Sequence, residues 1–228
     1  MLTPVESTAL ALSLEVGLWA VAGGLPVAIA IAWLLSRGTF PGRALLAALV
    51  DLPLVLPPVV TGYALLLLFG RHGPIGGRLE SWFGIVVAFR WTGAAIAAAV
   101  MGLPLMVRAI KLSLDAIEPG LEQAASGLGA PRSAVFATVT LPLALPGILV
   151  GALLGFAKSL GEFGATITFV SNIPGETQTL PIAIYSLLQV PGSDASVLRL
   201  VGLSVVVSLA GVLAAELVAA RLRRRIAS

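Results

Sequence analysis

Lys158 and Glu162 are the residues of this sequence most obviously placed to do chemistry. They stand four positions apart inside a long apolar run. Ionisable side chains at membrane depth are costly and face protein or water, not lipid. An ammonium there could border a route for an anion. Equally, the pair could neutralise itself and pack one helix against another. Ser159 adjoins Lys158, and Thr61 follows the Pro57-Pro58 pair. Thr61 could line a cavity or bond a carbonyl that the prolines set free. Thr61, Lys158, Ser159 and Glu162 are the candidate pathway residues. Asp51 could hold a cation, or snorkel or cap a helix near one face. None of these residues forms a catalytic constellation. The sequence has no Gly-x-x-x-x-Gly-Lys-Ser/Thr phosphate loop, so hydrolysis of ATP by that route is not expected. Cysteine is absent and His72 is the one histidine, which removes thiol chemistry and leaves little for a metal site.

The elements that must position these residues are membrane helices. Of 228 residues, 58% are hydrophobic and 11% charged, against about 25% charged in soluble domains. The mean hydropathy is +1.03. These values predict an all-α polytopic membrane protein. Apolar runs fall at 10–35, 44–70, 84–107, 143–170 and 197–217, about five transmembrane helices in all. Pro53, Pro57 and Pro58 predict a broken or bent second span. Residues 180–190 are too few to cross, and could form a re-entrant or outer-face helix. Met1 to Glu6 carries no positive charge, so a cleaved signal peptide is not expected. With the N-terminus outside, the inner segments hold Arg37, Arg43, Arg108, Lys111, Arg132, Arg221, Arg223, Arg224 and Arg225. The outer ones hold Arg71, Arg78, Arg90 and Arg199. Nine against four predicts an N-out, C-in topology. The net charge of +3 is thus explained by topology, and nucleic acid is not an expected partner.

One stretch between the third and fourth runs could not sit in lipid. Leu121, Ala124, Ala125 and Leu128 repeat at helical spacing, Gly127 and Gly129 break the helix, and Pro131 suits the start of another. This elbow resembles the cytoplasmic coupling loop of bacterial ABC importer permeases. That family's pattern is Glu-Ala-Ala, three residues, Gly, nine residues, Ile or Val, one residue, Leu-Pro. Ala124, Ala125, Gly129, Val139, Leu141 and Pro142 stand at those offsets. Gln123 occupies the first slot, with Glu122 one position before it. The resemblance implies a single transmembrane domain over 1–228 with a coupling loop at about 115–141. It implies that Glu122, Gln123, Ala124, Ala125, Gly129, Ala130, Pro131 and Arg132 dock a partner ATPase.

Three further segments narrow the resemblance. Residues 53–60 (PLVLPPVV), 159–167 (SLGEFGATI) and 172–177 (NIPGET) are similar to hallmarks of molybdate importer permeases, and sulfate permeases share the Gly-Glu-Phe-Gly core. The family implies a multi-pass protein of the bacterial inner membrane. It implies a homodimer giving alternating access at its interface, two cytoplasmic ATPase subunits and a periplasmic or extracellular oxyanion-binding protein. ATP and Mg²⁺ belong to those ATPases, and this chain is expected to be no enzyme and to bind no cofactor. Molybdate is the expected substrate, with tungstate open as a second. A sulfate permease and a gradient-driven secondary transporter are the alternatives.

Overall fold

The computed structural model describes residues 3–226, and among these it is helical with no strand. α1 (Pro4–Arg37) is a single helix of 34 residues. Thr3 starts it with a capping box: its hydroxyl accepts from the Glu6 N–H, and its own N–H donates to Glu6 Oε2 at 2.8 Å. α2 (Arg43–Val55) and α3 (Pro58–Phe69) are bent by 114° across a short break. Pro57 and Pro58 cause the bend, since proline restricts the residue before it and suits the first turn of a new helix. α4 (Gly76–Phe83) is short. α5 (Trp91–Asp115) is the central span. α6 (Pro119–Gly127) is the first helix of the elbow.

From Arg132 the chain runs as one rod of 29 residues to Leu160. It comprises α7 (Arg132–Val135), a π-helical turn (Phe136–Thr140) and α8 (Leu141–Leu160). α9 (Gly164–Val170), α10 (Leu180–Leu188) and α11 (Asp194–Ile226) complete the fold. Four helices are long and apolar enough to span a membrane, or up to five if the bent α2–α3 pair counts as one span. That matches the expected architecture.

Three expected boundaries move. The third span begins at Trp91, not at residue 84, because residues 84–87 are irregular and 88–90 turn the chain. The fourth run begins ahead of residue 143, inside the stretch expected as the coupling loop (115–141). Its helix has already begun at Arg132 and passes through Pro142. A proline ring clashes with the carbonyl four residues back. The π-turn widens the helix there, with the Leu141 N–H bonding Phe136 O instead. Lastly, the run 143–170 is not one helix: it stops at Leu160 and restarts at Gly164.

α5 packs against α1 on one side and α8 on the other. Helices in lipid gain little from the hydrophobic effect between them, so close van der Waals approach must hold them. Gly147, Gly151 and Gly155 supply that approach along α8. A Cβ on Gly147 would lie 2.3 Å from Ser113 Cβ and 2.8 Å from Ala109 O. One on Gly151 would lie 3.1 Å from Met106 O, and one on Gly155 2.9 Å from Met106 Cγ. Ala28, Ala32, Met106, Ile110 and Leu114 bury the cluster between α1, α5 and α8. Ala94, Ala97, Ala98 and Phe169 fill a second, between α1, α5 and α9. Leu198, Val205, Val206 and Leu209 of α11 stay exposed, as lipid-facing residues do.

Gly147→Val should therefore overpack the α5–α8 seam and cost about 1–3 kcal/mol, read as a lower Tm of the purified chain. Gly211→Ala, where the position is open, should leave Tm unchanged or raise it.

Candidate functional site

Two constellations lie at opposite ends of the Arg132–Leu160 rod. At the first, α1, α5, α6 and the π-turn converge on one carboxylate. Arg37, in the last turn of α1, places Nε 3.0 Å from Glu122 Oε2 and Nη2 3.3 Å from Oε1. Nη2 also donates to Leu114 O at 3.0 Å, and Thr140 Oγ1 donates to Glu122 Oε1 at 2.8 Å. Ser36 Oγ donates to Asp115 Oδ1 at 2.6 Å beside it. Glu122 is thus turned into the bundle as a latch. The reason is local: at the first turn of α6 it faces the Arg37 guanidinium, which offers two donors to one carboxylate.

Gln123, Ala124, Gly129, Pro131 and Arg132 are exposed, while Ala125 and Ala130 are half-buried. Gly129 has φ +88°, the left-handed turn expected of it, whereas Gly127 ends α6 with ordinary helical geometry. Leu128 is 91% exposed and Leu121 49%. The helical repeat of these leucines is visible in the sequence. The structure turns both outward.

At the other end of the rod, Lys158 and Glu162 flank the break at residues 161–163. Lys158 Nζ lies 2.6 Å from Glu162 Oε2. Glu162 Oε1 accepts from the Ala165 N–H at 3.0 Å, so both carboxylate oxygens are used, and its side chain is 1% exposed. The Lys158 side chain is 28% exposed. Beside the break, α3 and α9 cross closely. A Cβ on Gly62 would lie 2.4 Å from Ala165 O, and one on Gly164 2.7 Å from Pro58 Cβ. The two interrupted segments, α2–α3 and α8–α9, therefore meet near their breaks. Thr61 lies at this crossing, buried, with no hydrogen-bond partner for its hydroxyl. It does not satisfy a freed carbonyl.

Ser159 is not part of this group. Its hydroxyl donates to Phe156 O, and it packs under α1, 2.7 Å from where a Cβ on Gly17 would sit. Asp51 is paired with Arg108 at 2.9 Å. Phe163 stacks on Tyr185 of α10 with centroids 5.0 Å apart. Asn172 holds Ser186 and Gln178, so the outer segment is tied to the break. Arg37 and Thr140 are partners of Glu122 that spacing alone did not single out. Arg37 counted only as a topology charge, and its partner is 85 residues away.

The family of binding-protein-dependent transport system inner membrane components matches residues 24–224. The molybdenum transport system permease protein ModB of Escherichia coli (strain K12) is 57% identical over 225 residues, 99% of this chain and 98% of its own length. The Haemophilus influenzae protein of the same name is 51% identical over 222 residues, 97% of each. A crystal structure of a bacterial ABC transporter involved in the import of alginate matches with a TM-score of 0.74 at 19% identity. The match covers 96% of this chain and 80% of that one.

Removing the latch should free α6 without unfolding the spans. Glu122→Ala leaves Arg37 and Thr140 short of an acceptor, at about 1–3 kcal/mol for the site. A spin label or protease site on α6 should report increased mobility, with the Tm of the transmembrane bundle little changed.

Proposed function

Because the chain belongs to the family of binding-protein-dependent transport system inner membrane components, we propose that it is the membrane subunit of an ATP-driven importer of molybdate, working as a homodimer, with tungstate as a second substrate. It is a transport subunit of the inner membrane and not an enzyme. Its partners are ABC ATPase subunits and a substrate-binding protein. Two ATPases dock in the cytoplasm and consume ATP and Mg²⁺, and the binding protein delivers the oxyanion from outside. Two relatives named for molybdenum transport match it over nearly their whole length, which favours molybdate over sulfate. Membership in this family also weighs against a gradient-driven carrier.

The observation that carries the mechanism is the continuity of the rod. The elbow bearing Leu121, Gln123, Ala124 and Leu128 leads at Arg132 into a continuous helix that ends at Leu160, with Lys158 in its last turn. At about 1.5 Å per residue the rod is roughly 43 Å long, enough to cross the bilayer. Movement of α6 on an ATPase surface is passed by the Arg37–Glu122–Thr140 latch to α1 and to the base of the rod. The rod then moves the break at residues 161–163 as one body, and alternating access follows at the dimer interface. Lys158 borders the anion route. Its attraction for a dianion is tempered by Glu162, so that the ion can also leave.

Docking is tested at the hinge. Gly129→Val places a β-branched side chain at φ +88°, a strain of about 1–2 kcal/mol. ATP hydrolysis by the assembled complex should persist while molybdate uptake falls. Gly129→Asn, which tolerates that conformation, should retain transport. Normal uptake by the valine variant would remove the elbow from the coupling route.

The route is tested at the ammonium. Lys158→Gln should cut molybdate uptake at least tenfold with the complex still assembled. Lys158→Gln with Glu162→Gln should not restore it. If the double variant transports normally, the pair serves packing alone.

A further inference from the structure

A groove of about 510 Å³ runs along the outside of the α1–α5 pair. Trp19, Gly23 and Val27 line it from α1, and Trp91, Thr92 and Leu103 from α5. The space exists because Gly23 has no side chain: nothing lies within 4 Å of where its Cβ would be. Next to it, Gly24 is closed off by Met106 Cε at 2.8 Å. The lining is apolar except for Thr92, whose buried hydroxyl has no hydrogen-bond partner. Trp19 and Trp91 meet at one end with centroids 6.3 Å apart, and Arg90, directly before Trp91, is exposed. Among the described residues Arg90 has no ion-pair partner.

Depth follows from α5. Its 25 residues make about 37 Å. Its far end, Asp115, adjoins Ser36 near the coupling elbow. Trp91 therefore lies at the opposite headgroup level, where tryptophan is favoured. From Trp91 to Leu103 the groove descends about 18 Å, close to one leaflet of a roughly 30 Å core. A transmembrane helix seated there would need a groove along the whole of α1 and α5. An acyl chain needs one leaflet only. We propose that this groove binds one acyl chain of an anionic phospholipid in the leaflet opposite the coupling elbow, with Arg90 holding the phosphate and Thr92 donating to an ester carbonyl.

The test uses the full chain reconstituted in phosphatidylcholine vesicles. With Trp33→Phe and Trp82→Phe in place, only Trp19 and Trp91 fluoresce. A minor fraction of phosphatidylglycerol brominated in its acyl chains should quench them about fivefold more effectively than brominated phosphatidylcholine at the same fraction, as one surface cation selects anionic lipid. Arg90→Gln should abolish that preference. Gly23→Leu fills the groove from a position whose Cβ would meet nothing within 4 Å, and Val27→Phe is a second filling change at a residue 49% exposed. Either should reduce quenching to the level of bulk lipid. Equal quenching by the two brominated lipids would overturn the site. So would quenching that survives both filling changes, or disulfide cross-linking of two Gly23→Cys copies through the groove.

Discussion

The contact between α5 and α8 is the constraint on which the other elements depend. Inside a bilayer, apolar side chains gain nothing by leaving lipid for protein, so helices associate where their backbones can come close. Gly147, Gly151 and Gly155 put that closeness on one face of α8, and Ser113, Ala109 and Met106 receive it. α1 then packs on the other side of α5 through Ala28, Ala32 and Gly24, again with small residues at the contact. The rod bearing the elbow at one end and the charged break at the other is held by this seam along its middle.

Polar contacts at the two ends of the bundle then set the register. At one end Glu6, 3% exposed, receives Arg199 of α11 at 2.9 Å and also caps α1. At the other, Glu122 receives Arg37 and Thr140. α1 thus carries an acid near its start and a base in its last turn, and each is tied to a different part of the chain. Exposed ion pairs contribute little. These acceptors are largely enclosed and multiply bonded, so they fix where helix ends sit and leave the lipid-facing surfaces free.

Much of this was legible. Hydrophobic run lengths gave the number of spans, and Pro57-Pro58 gave the bend. Gly129 gave the left-handed turn. What stayed hidden has physical causes. Pro142 reads as a helix start because proline does not fit a regular helix interior, yet the π-turn that ends at Thr140 accommodates it. The break at residues 161–163 hid within an apolar run, because hydropathy averages over a window and takes no account of a backbone bond that is missing. Leu121 and Leu128 were legible as a helical repeat but not as a surface, since periodicity tells which residues share a face and not what that face meets. Arg37 could be paired with Glu122 only once the fold brought them together.

The break also explains how one helix segment can hold a charge pair without losing stability. The order Lys158 then Glu162 is the weaker orientation for an i, i+4 pair within a helix. Glu162, however, is not within a helix. It stands in the gap, where one oxygen takes an N–H that the interruption left without a carbonyl, and the other takes the ammonium. Burying that carboxylate is tolerable because both its oxygens are bonded. Lys158 is in the opposite position. It spends one of three donors on Glu162, and its side chain stays 28% exposed. An ammonium so held keeps donors for an anion without giving up its partner, and its field is partly cancelled at the same time. Weak attraction with free donors is what a passing dianion requires. The two charges thus differ in burial as well as in the number of bonds each makes.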